Sequence, residues 1–335
     1  MRALLLKSRL RRMLVVLLSL SLAGVAALKS QAQMMGGTMS PPQAVWVDTD
    51  IGDDIDDAFA LALILRSPEF KVLGISTAFG DTEMRARLVD RMLASSGTAG
   101  ISVTAGIQTK TDNPFTQRAY AQHSPEKNHA DGVQVMLDAA NTHPGQVTLI
   151  ALGPLFNIGE AIRRDAAGFK KFKRIVMMGG SIERGYDGAN GERRPADPEW
   201  NIDRDPKDAQ TMFAAGVPIF TMPLDSTQIH LETKEREALF ATGNPLTDQL
   251  TLLYHQWIAG SVAEGKAAPT PTLFDPVAVA YSFKPELCPM TPMRIQVDDK
   301  GVTRKVDGTP NAEVCLQSDE KGFLELLLGR LKTGN

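Results

Sequence analysis

The sequence predicts an α/β protein built on an open, mostly parallel sheet with helices on both faces. Three observations predict it. Short apolar runs alternate with amphipathic ones along most of the 335 residues, and strands alternating with helices build a parallel sheet through crossover connections. "AVWV" at residues 44–47 is apolar at every position, as a strand covered on both faces is. Polar and glycine-rich residues gather where strands end, with "DTD", "FGD", "LGP" and "MMGG" closing four of the apolar runs. In such a sheet the ligand site lies at the carboxyl ends of the strands. One shared crevice is therefore expected, rather than several separate sites.

The first residues do not belong to this fold. "MRALLLKSRLRRM" is basic, "LVVLLSLSLAGVAAL" is apolar, and "SQAQ" offers small residues for cleavage after Ala32, the layout of a secretory signal. The apolar run is short for a membrane span, and no cysteine follows it to carry a lipid anchor. Residues 1–32 are expected to be a signal peptide, residues 33–43 a flexible lead-in and residues 44–335 the functional domain. The expected location is secreted or periplasmic, without membrane attachment after cleavage.

The elements then follow in order. "AVWVDTD" leads to the helix "DDAFALALILRS", and "KVLGISTAFG" leads to "MRARLVDRMLASSG". "ISVTAG" is a third strand, followed by a polar stretch containing "HSPEKNHADG". "QVTLIALGP" leads to "LFNIGEAIRRD", and "KRIVMMGGSI" to a long loop rich in Gly, Pro and Asp. After it come the helix "DPKDAQTMFAAG", the strand "VPIFTMPLD", two helices across residues 232–263 and the helix "DPVAVAYSF". "MRIQVDDKGVTRKVDG" reads as a hairpin and "EKGFLELLLGRL" as a closing helix.

Composition narrows the function. The chain is 43% hydrophobic and 22% charged, an ordinary globular balance that allows one large α/β domain or two smaller ones. Residues 1–32 carry six of the 36 basic residues and no acidic ones, which leaves 30 basic against 39 acidic, a net charge of −9. That balance argues against nucleic acid as a partner. Cys288 and Cys315 are the only cysteines. They read equally well as one disulfide in an oxidising compartment or as two separate buried thiols.

"VDTDIGDDIDDAFALALIL" places six carboxylates within ten positions, from Asp48 to Asp57. Asp is a good N-cap and acidic first turns suit the helix dipole, which accounts for one or two of them. Like charges packed this closely repel and raise one another's pKa unless a cation neutralises them. A hard cation held by several oxygens is the better reading. Met177 is expected in the core, while Trp200 is open between core packing and stacking on a sugar. His123, His143 and His230 read as surface residues, and Tyr254, His255 and Trp257 as core positions on a late helix.

"DTDIG…DDA", "LGPLFNI", "MMGG", "EWN…DP" and "FDPVAVA" occur in one order and spacing that resembles the inosine-uridine-preferring nucleoside hydrolase family, from about Val45 to Asp275 and more loosely beyond. The resemblance implies a Rossmann-like sheet and calcium-dependent cleavage of ribonucleosides to ribose and free base. It implies that Asp50 both touches calcium and takes a proton from the attacking water. Asp57, Asp275 and the backbone carbonyl of Leu152 would complete the metal site. Asp56, Glu199 and Asn201 would hold ribose hydroxyls, with Met178 beside the sugar and His129 on a loop over the nucleobase. The partner would be a small-molecule ribonucleoside, and a homo-oligomer is compatible with the family.

Three departures stand out. "GDDIDD" has two residues more than the commoner spacing, so Asp56 and Asp57 are matched to the motif because "DDA" opens the helix. Asp53 and Asp54 are then expected to be solvated or to support the ligands. Asp81 stands where an Asn is frequent and could still accept a substrate hydrogen bond. Phe274 stands where many purine-active members have His. It would line the base pocket, and the leaving-group acid would be His129, with Tyr254, His255 or water as alternatives. Two rivals remain at this point: a binding protein that keeps the calcium and sugar site without turnover, and a phosphohydrolase using "DTD". Gly52 counts against the second.

Overall fold

A computed structural model describes residues 41–188 and 191–333, so the expected signal peptide and most of the lead-in lie outside the described residues. From Pro42 onward the chain is one compact unit. Its strands are β1 (Gln43–Thr49), β2 (Phe70–Thr77), β3 (Ser102–Ala105), β4 (Ala130–Asp131), β5 (Thr148–Ala151), β6 (Arg174–Met178), β7 (Ile219–Met222), β8 (Met290–Val297), β9 (Thr303–Val306) and β10 (Ala312–Cys315). They form one sheet in the order β4-β3-β2-β1-β5-β6-β7-β10-β8-β9. Pairings from β4 through β7 to β10 are parallel, and β8 joins β10 and β9 antiparallel. The α/β reading, with a mostly parallel sheet, is correct.

β1 shows why. Val45 and Val47 enter the core on one face, and Trp46 enters the core on the other. Trp46 also donates its indole N–H to Ser76 Oγ at 2.9 Å. A Cβ at Gly74 would come within 2.4 Å of the Trp46 ring, so the neighbouring strand needs glycine there. The helix Asp56–Leu65 is buried along nearly its whole length, as "AFALALIL" requires of a helix apolar all round. It packs against the helix Phe274–Phe283, which brings two distant motifs together.

Some elements were not expected. The polar stretch after β3 holds a short helix, Arg118–Gln122, and the two-residue β4. The helix Gly132–Thr142 starts directly after, capped by Asp131 on the amides of Val133 and Gln134. β10 carries "AEVC", too short and mixed to announce itself, and is buried because β7 and β8 flank it. The hairpin at residues 293–308 forms as expected, with Val297 opposite Thr303. Cys288 and Cys315 are joined as a disulfide across 27 residues of sequence. Closing a loop of that size contributes roughly 3 kcal/mol by restricting the unfolded chain. Among the described residues no helix is long and apolar enough to cross a membrane.

Candidate active site

The strand order reverses at β1, which has β2 on one side and β5 on the other. A cavity of about 400 Å³ opens there, bounded by the residues that follow β1, β5 and β6. Its floor is acidic. Asp50 follows β1, and Asp56 and Asp57 form the first turn of the helix Asp56–Leu65. Asp275 lies in the first turn of the helix Phe274–Phe283. Neither helix has a capping bond from its N-cap side chain, and the positive dipole ends of both lie at this cluster. The amide of Asp275 donates to Asp56 Oδ2 at 3.2 Å and links the two helix ends.

Asp56, Asp57 and Asp275 can each offer one carboxylate oxygen with all three atoms within 4.8 Å of one another, and all three residues are buried. That spacing suits a shared cation bound through oxygen. Burial, and then the neighbouring carboxylates, hold all three well above the usual carboxylate range. Asp50 is pushed up to about 7, chiefly by burial, with the Arg85 charge pulling the other way. Among the described residues no cationic side chain lines the cavity, and a bound cation would balance the carboxylates.

The opposite wall is built around Glu199 and Asn201. Glu199 caps the short helix Trp200–Asp203 and accepts from the amides of Asn201, Ile202 and Gly180 at 2.9, 3.2 and 3.0 Å. Burial raises its pKa to about 7 against those amides. Asn201 donates its amide to the carbonyls of Leu152 at 2.9 Å and Met178 at 3.2 Å, which leaves its own carbonyl oxygen as an acceptor. Met178 closes β6 and is buried, as is Met177 in the core. Phe274 meets Tyr186 edge to face at 6.0 Å, and with Trp257 and Pro114 they form an apolar wall.

The structure thus brings together Asp50, Asp56, Asp57, Leu152, Met178, Glu199, Asn201, Phe274 and Asp275. Ile55 points into the core while its acidic neighbours face the cavity. Asp48 lies behind them, accepting from Ser76 and from Asn157 at 2.8 Å. Asp54 lines the cavity. Asp53 lines it too, but its carboxylate is paired with Arg85 at 2.7 Å instead of being freely solvated.

Two expected residues are elsewhere. Asp81 accepts from the Met84 amide at 3.1 Å as the cap of the helix Thr82–Ser95, and pairs with Arg118 at 3.3 Å. Its acceptor capacity serves the helix end, and it does not line the crevice. His129 does not line it either. Its ring is clamped between Glu83 at 2.7 Å and Asp90 at 2.9 Å, so neither ring nitrogen is free to protonate a leaving base in this arrangement. His255 is exposed, Tyr254 is buried, and Trp257 packs against the core while also lining the cavity. Trp200 also lines it, with its ring against Phe79 at 5.9 Å. Sequence reasoning missed Tyr186, which sits in a long irregular loop without periodicity. It also missed Arg85, whose place in a charged helix reads as surface.

A sequence model of the family described as "Inosine-uridine preferring nucleoside hydrolase" matches residues 45–325. The pyrimidine-specific ribonucleoside hydrolase RihA of Citrobacter koseri is 31% identical over 314 residues, covering 86% of this chain and 97% of that protein. Among solved structures, a plant nucleoside hydrolase, PpNRh1, superposes with a TM-score of 0.72 at 24% identity, covering 88% of this chain and all of that one. A purine-preferring ribonucleoside hydrolase from Gardnerella vaginalis gives a TM-score of 0.74 at 23% identity, covering 87% of this chain and 98% of its own.

Proposed function

We propose a calcium-dependent mechanism for a chain that belongs to the inosine-uridine preferring nucleoside hydrolase family. The chain is a ribonucleoside hydrolase, cleaving the N-glycosidic bond of small-molecule ribonucleosides. The cation, the favoured base and the cellular location are our own reading. The observation that carries the cation is the trio Asp56, Asp57 and Asp275, buried and within 4.8 Å of one another. All donors are hard oxygens, which suits calcium better than a thiolate- or imidazole-seeking metal.

Asp50, Asp57, Asp275 and the Leu152 carbonyl would hold the ion, with Asp56 adjoining them. Bound there, calcium would supply a water of lowered pKa. Asp50, which follows β1 on the cavity floor, is placed to accept a proton from the attacking water as general base. Asp56, Glu199 and the Asn201 carbonyl accept hydrogen bonds from ribose hydroxyls and fix C1′ before the attack. The same anionic groups stabilise the positive charge that develops on the sugar as the bond to the base breaks. Tyr186, Trp257 and Phe274 pack the base without an aligned imidazole or ammonium. This reading takes water as the proton source for the departing base.

Recognition by this reading is dominated by ribose, because the polar groups face the sugar and the base wall is apolar. A site built for a hydroxyl rejects the analogue lacking it. Similarity to a pyrimidine-specific relative supports uridine and cytidine as substrates. The Cys288–Cys315 disulfide supports export to an oxidising compartment, as the expected signal peptide does.

The test is release of free base from uridine, 2′-deoxyuridine and inosine by metal-depleted protein, before and after calcium is restored. The expected result is no turnover without calcium, recovery with it, and at least about 10²-fold poorer cleavage of the deoxynucleoside. Full activity after thorough metal removal would falsify the calcium mechanism. A lack of release from any riboside, with calcium still bound, would favour the binding-protein reading.

A further inference from the structure

Arg85 lies on the helix Thr82–Ser95 and is only 1% exposed. A buried arginine is rare unless its charge and donors are matched. Its Nε donates to the Phe79 carbonyl at 2.7 Å. Nη1 donates to the carbonyls of Asp50 and, at 3.0 Å, Ile51. Nη2 meets Asp53 Oδ2 at 2.7 Å. The guanidinium also lies 5.0 Å from the centre of the Phe115 ring, a distance at which the ring face attracts a cation.

The partners are the loops that build the crevice. Phe79 has φ 63°, a strained value for a bulky residue, and its carbonyl is the one that receives Nε. The Phe79 ring packs on Trp200, between Glu199 and Asn201. Asp53 Oδ2 also accepts from Asn113 at 2.7 Å, and Thr116 and Gln117 bond the carbonyls of Asp53 and Asp54 at 2.7 Å. The segment from Asp50 to Asp54 is thus held by Arg85 on one side and by residues 113–117 on the other. Among the described residues no lysine or arginine lines the crevice itself.

We propose that Arg85 is a positioning residue for the reaction. By bonding the Asp50 and Ile51 carbonyls and pairing with Asp53, it presets the loop that carries Asp50, so cation and substrate meet a formed site. The proposal rests on the reading of Asp50 as both metal ligand and general base. Arginine is suited to this by its planar fork of five donors. Lysine keeps the charge but has three donors on a single nitrogen and cannot serve four separated oxygens.

The experiment compares wild type with Arg85→Lys and Asp53→Asn, both in the full chain. Ribose release from uridine at saturating calcium gives kcat and KM, calorimetric titration gives calcium affinity, and thermal melting reports the fold. Loss of a group that orients metal ligands costs about 10–100-fold in affinity or activity. Arg85→Lys should therefore lower kcat and calcium affinity each by roughly 10-fold or more, while KM moves less than about 3-fold. Asp53→Asn, which keeps shape and loses the ion pair, should move the same quantities in the same direction by less. Wild-type kcat and calcium affinity in Arg85→Lys, even with a lowered melting temperature, would show a purely structural arginine and overturn the proposal. Should Arg85→Lys fail to fold, Asp53→Asn decides by the same criteria. If wild type binds calcium but releases no ribose, the hydrolytic mechanism fails separately, and the calcium titrations still decide the positioning role.

Discussion

Two acidic clusters lie on either side of the helix Thr82–Ser95, and they are solved in opposite ways. Around His129, Glu83 and Asp90 meet an imidazole, and Lys127 reaches Asp90 at 2.7 Å. Those contacts lower the pKa of Asp90 despite partial burial and raise that of His129. In the crevice, Asp50, Asp56, Asp57, Asp275 and Glu199 are buried, and every one is shifted upward. The first cluster is complete from its own side chains. In the second, among the described residues, the nearby cation is Arg85, which pairs with Asp53 and leaves the five crevice carboxylates without an ion-pair partner. An acidic cluster therefore indicates a cation site when its carboxylates are buried with only neutral donors and no paired cation, whatever their number.

The largest expected effect separates the two clusters by substitution. Asp275→Ala removes one of the three converging carboxylates. It should lower kcat/KM for uridine by at least about 10³-fold and abolish measurable calcium binding, with the fold retained by circular dichroism. Asp90→Ala removes a carboxylate that the protein already neutralises, and should change kcat/KM by less than about 3-fold. Comparable losses in the two variants would erase the distinction.

A second effect follows from the direction of the crevice shifts. Asp50 and Glu199 titrate near 7 and Asp48 near 6 in the metal-free protein, whereas unfolded carboxylates titrate near 4. Between those values the folded state binds more protons than the unfolded one, so stability falls as pH rises. The melting temperature of metal-free protein should drop by roughly 5–10 °C between pH 5 and pH 8. Calcium should restore most of it at pH 8 and little at pH 5, because it replaces the protons. Parallel curves with and without calcium would break the argument.

Much of this contrast was legible in the sequence. β1, β2, β5 and β6 were readable because buried parallel strands are apolar throughout, and the residues at their ends do converge. Asp56 and Asp57 were placed by "DDA" opening an apolar helix, and Ile55 fits the core as that spacing requires. What failed depends on partners far along the chain. Asp81 looked like a strand-end acceptor, but its own helix takes it first. Asp53 was expected either in solvent or in support of the ligands, and the choice stayed open because Arg85, 32 positions away, gives no sequence sign that it turns inward. Trp257 was expected in the core and packs against it, but its helix spacing gave no sign that it also reaches the cavity. The His129 pocket failed likewise, since Glu83 and Asp90 lie on a helix more than 35 residues earlier.

The smallest effect concerns that histidine. Its side chain is buried between Glu83 and Asp90, and it ties residues before β4 to the helix Thr82–Ser95. A raised histidine pKa contributes stability that is full below its unfolded value near 6.5, and is lost as pH rises through the folded value. The lowered Asp90 contributes above about 4 and is lost as pH falls through its own folded value. The clamp is therefore strongest between roughly pH 4 and 6.5. Glu83 and Lys127 face solvent, which screens the charges, so His129→Ala should cost only about 1 kcal/mol at pH 5.5 and less at pH 9. Chemical denaturation at the two pH values measures the difference. Kinetics tests the reading in which His129 stays outside the crevice. Uridine needs its leaving base protonated, whereas p-nitrophenyl riboside has a good leaving group and needs little help. With water as the proton source, His129→Ala should slow both substrates equally, by less than about 3-fold. A selective loss on uridine of about 10²-fold would instead return His129 to the chemistry. It would also require the segment carrying it to leave Glu83 and Asp90 and close over the base during turnover.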